Sequence, residues 1–279
     1  MKLIRNILKN AFNNSLEDGK NNNITPSFLK PVKQLADRVY KNDKGFWEAE
    51  LKNSITMIYI PKGEFTMGNN DLHKDYKNCP EHKIKLNSYW IGKYPVTFDQ
   101  YDAYYTAKGF INDMGWGRGK LPVININWQK SVDYCNRLSE KFGLRFRLPT
   151  EAEWEKAAKG TGNNKYPWGN EDPDEELANY NNNAYKTTSA GQYPKGVSPY
   201  GCFDMAGNVI EWCNDWYNRE YYKRSPSKNP KGPYNGIERV YRGGCWGEEI
   251  ADYLQCSSRG KTYPSFCLEA NGFRLMIEL

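Results

Sequence analysis

The sequence predicts an α+β domain in which irregular chain outweighs regular elements. Three observations lead there. Short apolar runs broken by Pro, Gly and Asn occupy residues 55–97. Capped helical patterns follow as far as Gly160. Beyond it come about 70 residues dense in Gly, Asn, Pro and Tyr, with little periodicity.

Residues 1–50 differ in composition from the rest and are read as a helical appendage to a main domain spanning 51–279. Leu3, Ile4, Ile7, Leu8 and Phe12 fall on one face of a short amphipathic helix, and a second helix is expected from Phe28 to Tyr40. ITMIYIPKGEFTMGN reads as a β-hairpin turning around Pro61–Gly63, and KIKLNSYWIGKYPVT as another strand pair. Thr97 caps a helix expected from Phe98 to Ala107. Asn127 caps the next, where Trp128, Val132, Cys135, Leu138 and Phe142 recur at helical spacing until Gly143 ends it. Thr150 and Glu153 form a capping box ahead of Trp154, Ala157 and Ala158. The final fifty residues offer short strands in RVYRGG, YLQCSS and GFRLMIEL. So much irregular chain inside one domain needs function or bound metal to order it.

Bulk properties narrow the partners. Aromatics are 15% of residues, which predicts an aromatic-rich core. The net charge of +6 is spread along the chain, without the Lys/Arg stripe that nucleic acid requires. No 18-residue apolar run predicts a membrane span, and the first twenty residues lack the apolar core of a secretion signal. Seven cysteines make an odd count for a disulfide framework, so a reducing, cytoplasmic location is expected.

Specific segments say more than the pattern. MIYIPKGEFTMGN, YWIGKYPVTFDQY, LPVININW, FRLPTEAEWEKAAKG, YPWGN, YGCFDMAGNVIEWCNDWY, YRGG and NGFRL follow one another between residues 55 and 275. In this order they resemble the formylglycine-generating enzyme family, also called the sulfatase-modifying factor domain. RLPTEAEWE together with GNVIEW carries most of the resemblance. It implies a variant of the C-type lectin fold, loop-rich, with little regular secondary structure and with bound calcium. It also implies a choice of functions. One branch oxidises a substrate cysteine with copper and oxygen. Another makes sulfoxides with a histidine-held iron. Others, including variable proteins of diversity-generating retroelements, use the same surface to bind ligands.

The residues discriminate among these. In the oxidase branch the Arg-Gly-Gly turn is followed by a serine and then by two cysteines that hold Cu(I). Here the serine position is Cys245 and the two cysteine positions are Glu248 and Tyr253. Carboxylate and phenol are hard ligands that suit a soft ion poorly. A tyrosine and a tryptophan of that pocket are replaced by Asp252 and Ile210. A copper site is therefore not expected, although Cys245 with Cys256 or Cys267 would be a shifted alternative. Cys135 and Cys256 match positions that form disulfides in some relatives, yet their partner positions are Leu275 and Ala158, so the remaining thiols read as buried apolar groups. Iron needs three histidines and the chain has two, His73 and His82; with Cys79 they form an imaginable zinc set without the usual spacing.

Calcium is expected. In DMAGNVIE the resemblance assigns ligands to the side chains of Asp204 and Glu211 and the carbonyls of Gly207 and Val209, a hard-oxygen set. The bland alternative is that Glu211 and Asp215 bond loop amides. A second family calcium position begins at Asn179 and Tyr180 without an evident acidic partner.

The segment after the turn supplies Trp246, Glu248, Glu249, Asp252, Tyr253, Arg259, Lys261 and Tyr263, a mixture of aromatics and both charge signs that suits a binding face. The reading is a protein that binds a peptide, protein or small molecule there. The alternative is an oxidase or other modifying enzyme with Cys245, and Glu248 as a further catalytic candidate, in the pocket.

Overall fold

Period-two burial builds the main sheet. The computed structural model describes residues 26–70, 79–105 and 111–279. The amphipathic stretch over residues 3–12, His73 and Ala107 lie outside them. Strands β1 (Ala36–Lys41), β2 (Trp47–Leu51), β3 (Ile55–Ile60), β6 (Tyr89–Gly92), β7 (Phe146–Arg147) and β12 (Met276–Glu278) form a six-stranded sheet in the order β1-β2-β3-β6-β12-β7. Between β3 and β6 the chain makes a separate two-stranded ribbon, β4 (Gly63–Met67) with β5 (His82–Leu86). The four strands are thus nested: β3 pairs with β6 and β4 with β5. The two hairpins expected from sequence exist as strands with exchanged partners, because the Pro61–Lys62 break hands the chain from one sheet to the other.

A second correction concerns residues 28–40. Helix there is confined to Ser27–Leu29 (3₁₀) and Lys30–Lys33, after which the chain enters β1. The cause is the turn that follows. Asn42 accepts the N–H groups of Lys44 and Phe46 on its Oδ1, and Gly45 takes a φ of 83°, so β1 folds back on β2. Residues 36–51 therefore belong to the main sheet, and a boundary at residue 50 does not part them from the domain.

Helices seal this sheet. Thr97 with Gln100, and Thr150 with Glu153, close reciprocal capping boxes, while Asn127 caps the Trp128–Phe142 helix and Gly143 ends it in the left-handed region. The first of these helices stops at Asp102. The Trp128–Phe142 helix buries Tyr134, Cys135, Leu138 and Phe142 in a core shared with Trp90, Trp212 and Phe273. The Glu151–Lys159 helix buries Trp154, Ala157 and Ala158 in a second core with Met205 and Cys213.

As expected, residues 161–209 hold no regular element beyond a 3₁₀ turn at Pro194–Gly196. A four-stranded sheet follows, ordered β10 (Gly260–Thr262), β9 (Arg239–Arg242), β8 (Ile210–Trp216), β11 (Asn271–Gly272). The strand expected in YLQCSS is a 3₁₀ turn at Ala251–Leu254, stabilised locally by Gln255 donating to Asp252 at 2.6 Å. Among the described residues no helix is long and apolar enough to cross a membrane.

Candidate functional site

The site is built on the turn that leaves β9. Gly244 sits at φ 67°, and a Cβ there would lie 2.7 Å from Leu254 Cδ2, so only glycine fits. Arg242 anchors the turn from below. Its Nη1 donates to the carbonyls of Cys256 (2.8 Å) and Ser258 (2.9 Å), and its Nη2 to Glu155 (2.9 Å) and the Tyr222 hydroxyl (2.7 Å). Glu151 bridges Arg242, at 3.0 Å, to Arg259, which it accepts on both oxygens at 2.7 Å. Two arginines and two glutamates thus balance in a buried network, and the positive charge around Glu151 overcomes burial to hold its carboxyl below the ordinary range. The arrangement is rigid: each charge is paired and each arginine is further held by carbonyls or aromatic rings.

This network removes Arg259 from the expected binding face. Its side chain is only 3% exposed, fixed by Glu151 and stacked against Tyr217 and Tyr222. Lys261 also turns away, donating to Glu238 at 2.6 Å beside Tyr217. Asp252 is engaged with Gln255, and Tyr263 is exposed close to the start of the Trp128–Phe142 helix, where Trp128 N–H bonds Pro264. The segment from 246 to 266 therefore does not form one surface.

Its first part does. Trp246 N–H donates to the Asn208 carbonyl (3.1 Å), and the carbonyls of Trp246 and Glu248 accept from Asn182 (2.9 Å) and Asn181 (2.8 Å). The Trp116 ring meets Trp246 edge-on, with centroids 5.5 Å apart. Tyr185, 80% exposed, follows directly on this Asn181–Asn182 turn, and Met114 is exposed two residues before Trp116. Glu248 and Tyr253 are half-buried and Glu249 exposed on the same segment. Burial, opposed by the Ile250 N–H and reinforced by Glu249, raises the Glu248 carboxyl. Sequence reasoning missed Trp116 and Tyr185. Both sit in glycine- or asparagine-rich loops, and only long-range contacts bring those loops to Trp246.

Asn208 fastens the loops together. Its Nδ2 donates to Thr188 O (3.1 Å), and its Oδ1 accepts from Thr188 N (3.0 Å) and from Asn179 Nδ2 (3.3 Å). It lies in the stretch expected to hold calcium. Those residues do not fit the ion as arranged. Arg274 donates to both oxygens of Glu211 at 2.6 Å, Trp154 Nε1 adds a third bond at 2.7 Å, and all three side chains are buried. Arg274 Nη2 also approaches the Asp204 carbonyl at 3.4 Å. A dication at this loop would share its space with a buried guanidinium. The Asp204 carboxylate is itself engaged, accepting the Gly191 N–H on Oδ2 at 2.7 Å, and burial pushes its carboxyl up to about 6. The unused hard oxygens of this region lie elsewhere, on Asn179 Oδ1 and the Thr187 and Thr188 hydroxyls, all buried without partners.

The thiols divide as expected except at Cys267, where the expected burial is not found. Cys79, Cys135, Cys202, Cys213 and Cys256 are buried, Cys267 is exposed, and Cys245 is half-buried; none forms a disulfide. Burial, with the charges of Glu248 and Glu269, pushes the Cys245 thiol up to about 11, against opposing bonds from the backbone. A thiol held protonated at neutral pH is a poor nucleophile.

The fold and this turn define a protein built like a formylglycine-generating enzyme without the two cysteines of its copper site. The chain belongs to the sulfatase-modifying factor enzyme 1-like domain family, whose profile matches residues 44–279. It is 34% identical over 243 residues to the serine/threonine-protein kinase pkn1 of Chlamydia pneumoniae, across 78% of this chain and 37% of the kinase. The chain thus spans little more than a third of that relative's length. Among solved structures it is similar to PvdO of Pseudomonas aeruginosa, with a TM-score of 0.71 and 25% identity over 88% of this chain and 99% of PvdO. It is also similar to variable protein 1 of Treponema denticola, with a TM-score of 0.69 and 28% identity over 87% and 99% of the two chains.

Proposed function

We propose that this chain is a binding module that takes a peptide or protein ligand over the face formed by Trp116, Tyr185, Trp246, Glu248 and Glu249. One observation carries the reading: the turn that presents copper ligands in the oxidase branch here presents Glu248 and Tyr253, beside a single half-buried thiol, Cys245. Carboxylate and phenol are hard ligands that do not complete a soft-metal site. What the turn presents instead is an aromatic pair rimmed by carboxylates on a rigid base, the composition of an interaction hot spot. Similarity to a variable protein supports the same reading. The seven free thiols support a reducing location, the cytoplasm.

The test is a selection of binding peptides from a random displayed library, with counter-selection against Trp246→Ala and Tyr185→Ala. Peptides that lose at least tenfold in affinity on both variants support the face; peptides indifferent to both sink it. Anaerobic Cu(I) titration against a competing chelator tests the enzymatic alternative. No competitive binding is expected. Tight one-to-one binding lost in Cys245→Ser would instead establish a rebuilt copper site and a modifying enzyme.

A further inference from the structure

A second site lies outside this face, beside the β8–β9 connection. A cavity of about 350 Å³ is lined by Asn214, Trp216, Lys231, Tyr234 and Arg239, among others. Its floor is Arg239. The Trp128 and Trp216 ring centroids lie 3.7 and 3.5 Å from the guanidinium carbon, so indoles cover both faces of the cation. Nη1 donates to the Asn214 carbonyl at 2.6 Å, and Nε is buried without a partner.

Arg239 is half-buried, and its contrast with four other largely covered arginines is informative. Arg147, Arg242, Arg259 and Arg274 each pair with a glutamate. Arg239 has no carboxylate partner among the described residues. Glu238, its chain neighbour, is taken by Lys261 at 2.6 Å. Asp215 is close enough to be felt, yet it is buried and its carboxyl is pushed up to about 8, so it is largely neutral near pH 7. Lys231 adds a second positive charge at the rim. The cavity is therefore a cationic recess whose main donor is only partly satisfied, an expensive arrangement unless a ligand completes it.

The rim is fixed. Gly232 has a φ of 76°, and a Cβ on it would stand 2.7 Å from the Asp215 Cβ, so the loop is pressed onto the strand below. That loop holds Tyr234 out at 99% exposure and Ile237 at 74%. Two large apolar side chains displayed on a pinned loop beside an unpaired cation make a preorganised contact surface.

We propose that this recess binds an acidic side chain of a partner polypeptide, its carboxylate meeting Arg239 and Lys231 and its apolar neighbours lying on Tyr234 and Ile237. Shape selects carboxylate over phosphate. A guanidinium covered on both faces is open only along its edge, in its own plane, and a planar carboxylate enters that slot as a fork. A tetrahedral phosphate would push oxygens onto the negative faces of the indoles.

The experiment is fluorescence anisotropy of two labelled, capped pentapeptides, one with a central glutamate between leucines and one with glutamine in its place. The glutamate peptide is expected to bind the full chain at least about tenfold more tightly at low salt. Lys231→Glu and Tyr234→Ala, both at exposed positions, should each weaken it severalfold, and Arg239→Lys should abolish the preference. Acetate should compete better than inorganic phosphate. Equal binding of the two peptides, binding of neither, or indifference to Lys231→Glu would overturn the proposal, as would phosphate outcompeting acetate. Trp246→Ala should leave this affinity unchanged, which separates the recess from the face proposed above.

Discussion

Glu211→Gln is the most informative single substitution. Glu211 and Arg274 are both fully buried and joined by two bonds of 2.6 Å, with Trp154 Nε1 donating a third at 2.7 Å. Glutamine keeps a carbonyl for one donor but withdraws the charge. The guanidinium then stays buried with neutral acceptors alone: that carbonyl, those of Gly92 and Phe203 at 2.9 Å, and that of Asp204 at 3.4 Å. With the two charge centres about 4 Å apart and an effective dielectric near 20 the lost attraction is about 4 kcal/mol, and breaking one side of a buried pair costs about 3–5 kcal/mol. Against a typical domain stability of about 5–15 kcal/mol this is a large loss. It corresponds to a melting temperature lower by about 10 °C for a chain of this size. Urea unfolding followed by circular dichroism, with thermal scans, measures it. The double variant with Arg274→Met should recover part of the loss, because it removes the stranded charge. A loss under about 1 kcal/mol would refute the reasoning, because a buried charge stripped of its partner should cost several times that. So would a melting temperature that rises with millimolar calcium in the wild type but not in Glu211→Gln, since Glu211 would then serve the ion and not the guanidinium.

Asp215→Asn should change how stability depends on pH. The buried carboxyl is pushed up to about 8 by burial and, next, by Glu151, while an unfolded aspartate titrates near 4. Between these values only the folded state holds the proton. This group's contribution is therefore full below about pH 4 and is lost as pH rises to 8, at about 1.4 kcal/mol per pH unit. The variant should gain on the wild type between pH 5 and 8; parallel urea midpoints would contradict this. Thr150→Ala removes the cap that accepts Glu153 N–H at 3.2 Å and should cost about 1 kcal/mol, read as a lower urea midpoint at unchanged slope. Iodoacetamide at pH 8 should label exposed Cys267 first and Cys245 at least about tenfold more slowly, with the five buried thiols reacting only on unfolding. Peptide mass mapping decides the order, and early labelling of Cys245 would revive a reactive role for it.

The two surfaces proposed here share a design. Each stands on the four-stranded sheet, each is braced by glycines that admit no side chain, and each leaves polar groups unspent. Trp246 Nε1 and Arg239 Nε are both buried without partners. Arg147, Arg242, Arg259 and Arg274 are instead paired with glutamates, so stability and recognition draw on different residues.

Local rules settled much of this protein. Capping boxes at Thr97 and Thr150, the Asn127 cap and the Gly143 stop are written within a few residues each, and a helix end needs no distant partner to be specified. The order of segments likewise marked the family and the loop-rich half, and Glu248 and Tyr253 after Arg-Gly-Gly are legible there as departures from the oxidase pattern. Distance in sequence defeated the rest. Which strands pair is a choice among similar apolar runs, so β3 and β4 were expected to pair but joined different sheets. A carboxylate in a loop looks the same whether it meets an ion or a guanidinium 63 positions away, and only the fold placed Arg274 on Glu211. The same holds for Arg259, a surface cation by composition and a buried brace in three dimensions. Sequence fixes what a residue is able to do. Tertiary structure decides which residues are already occupied, because pairing in a low-dielectric interior depends on separations of a few ångströms between residues distant in the chain.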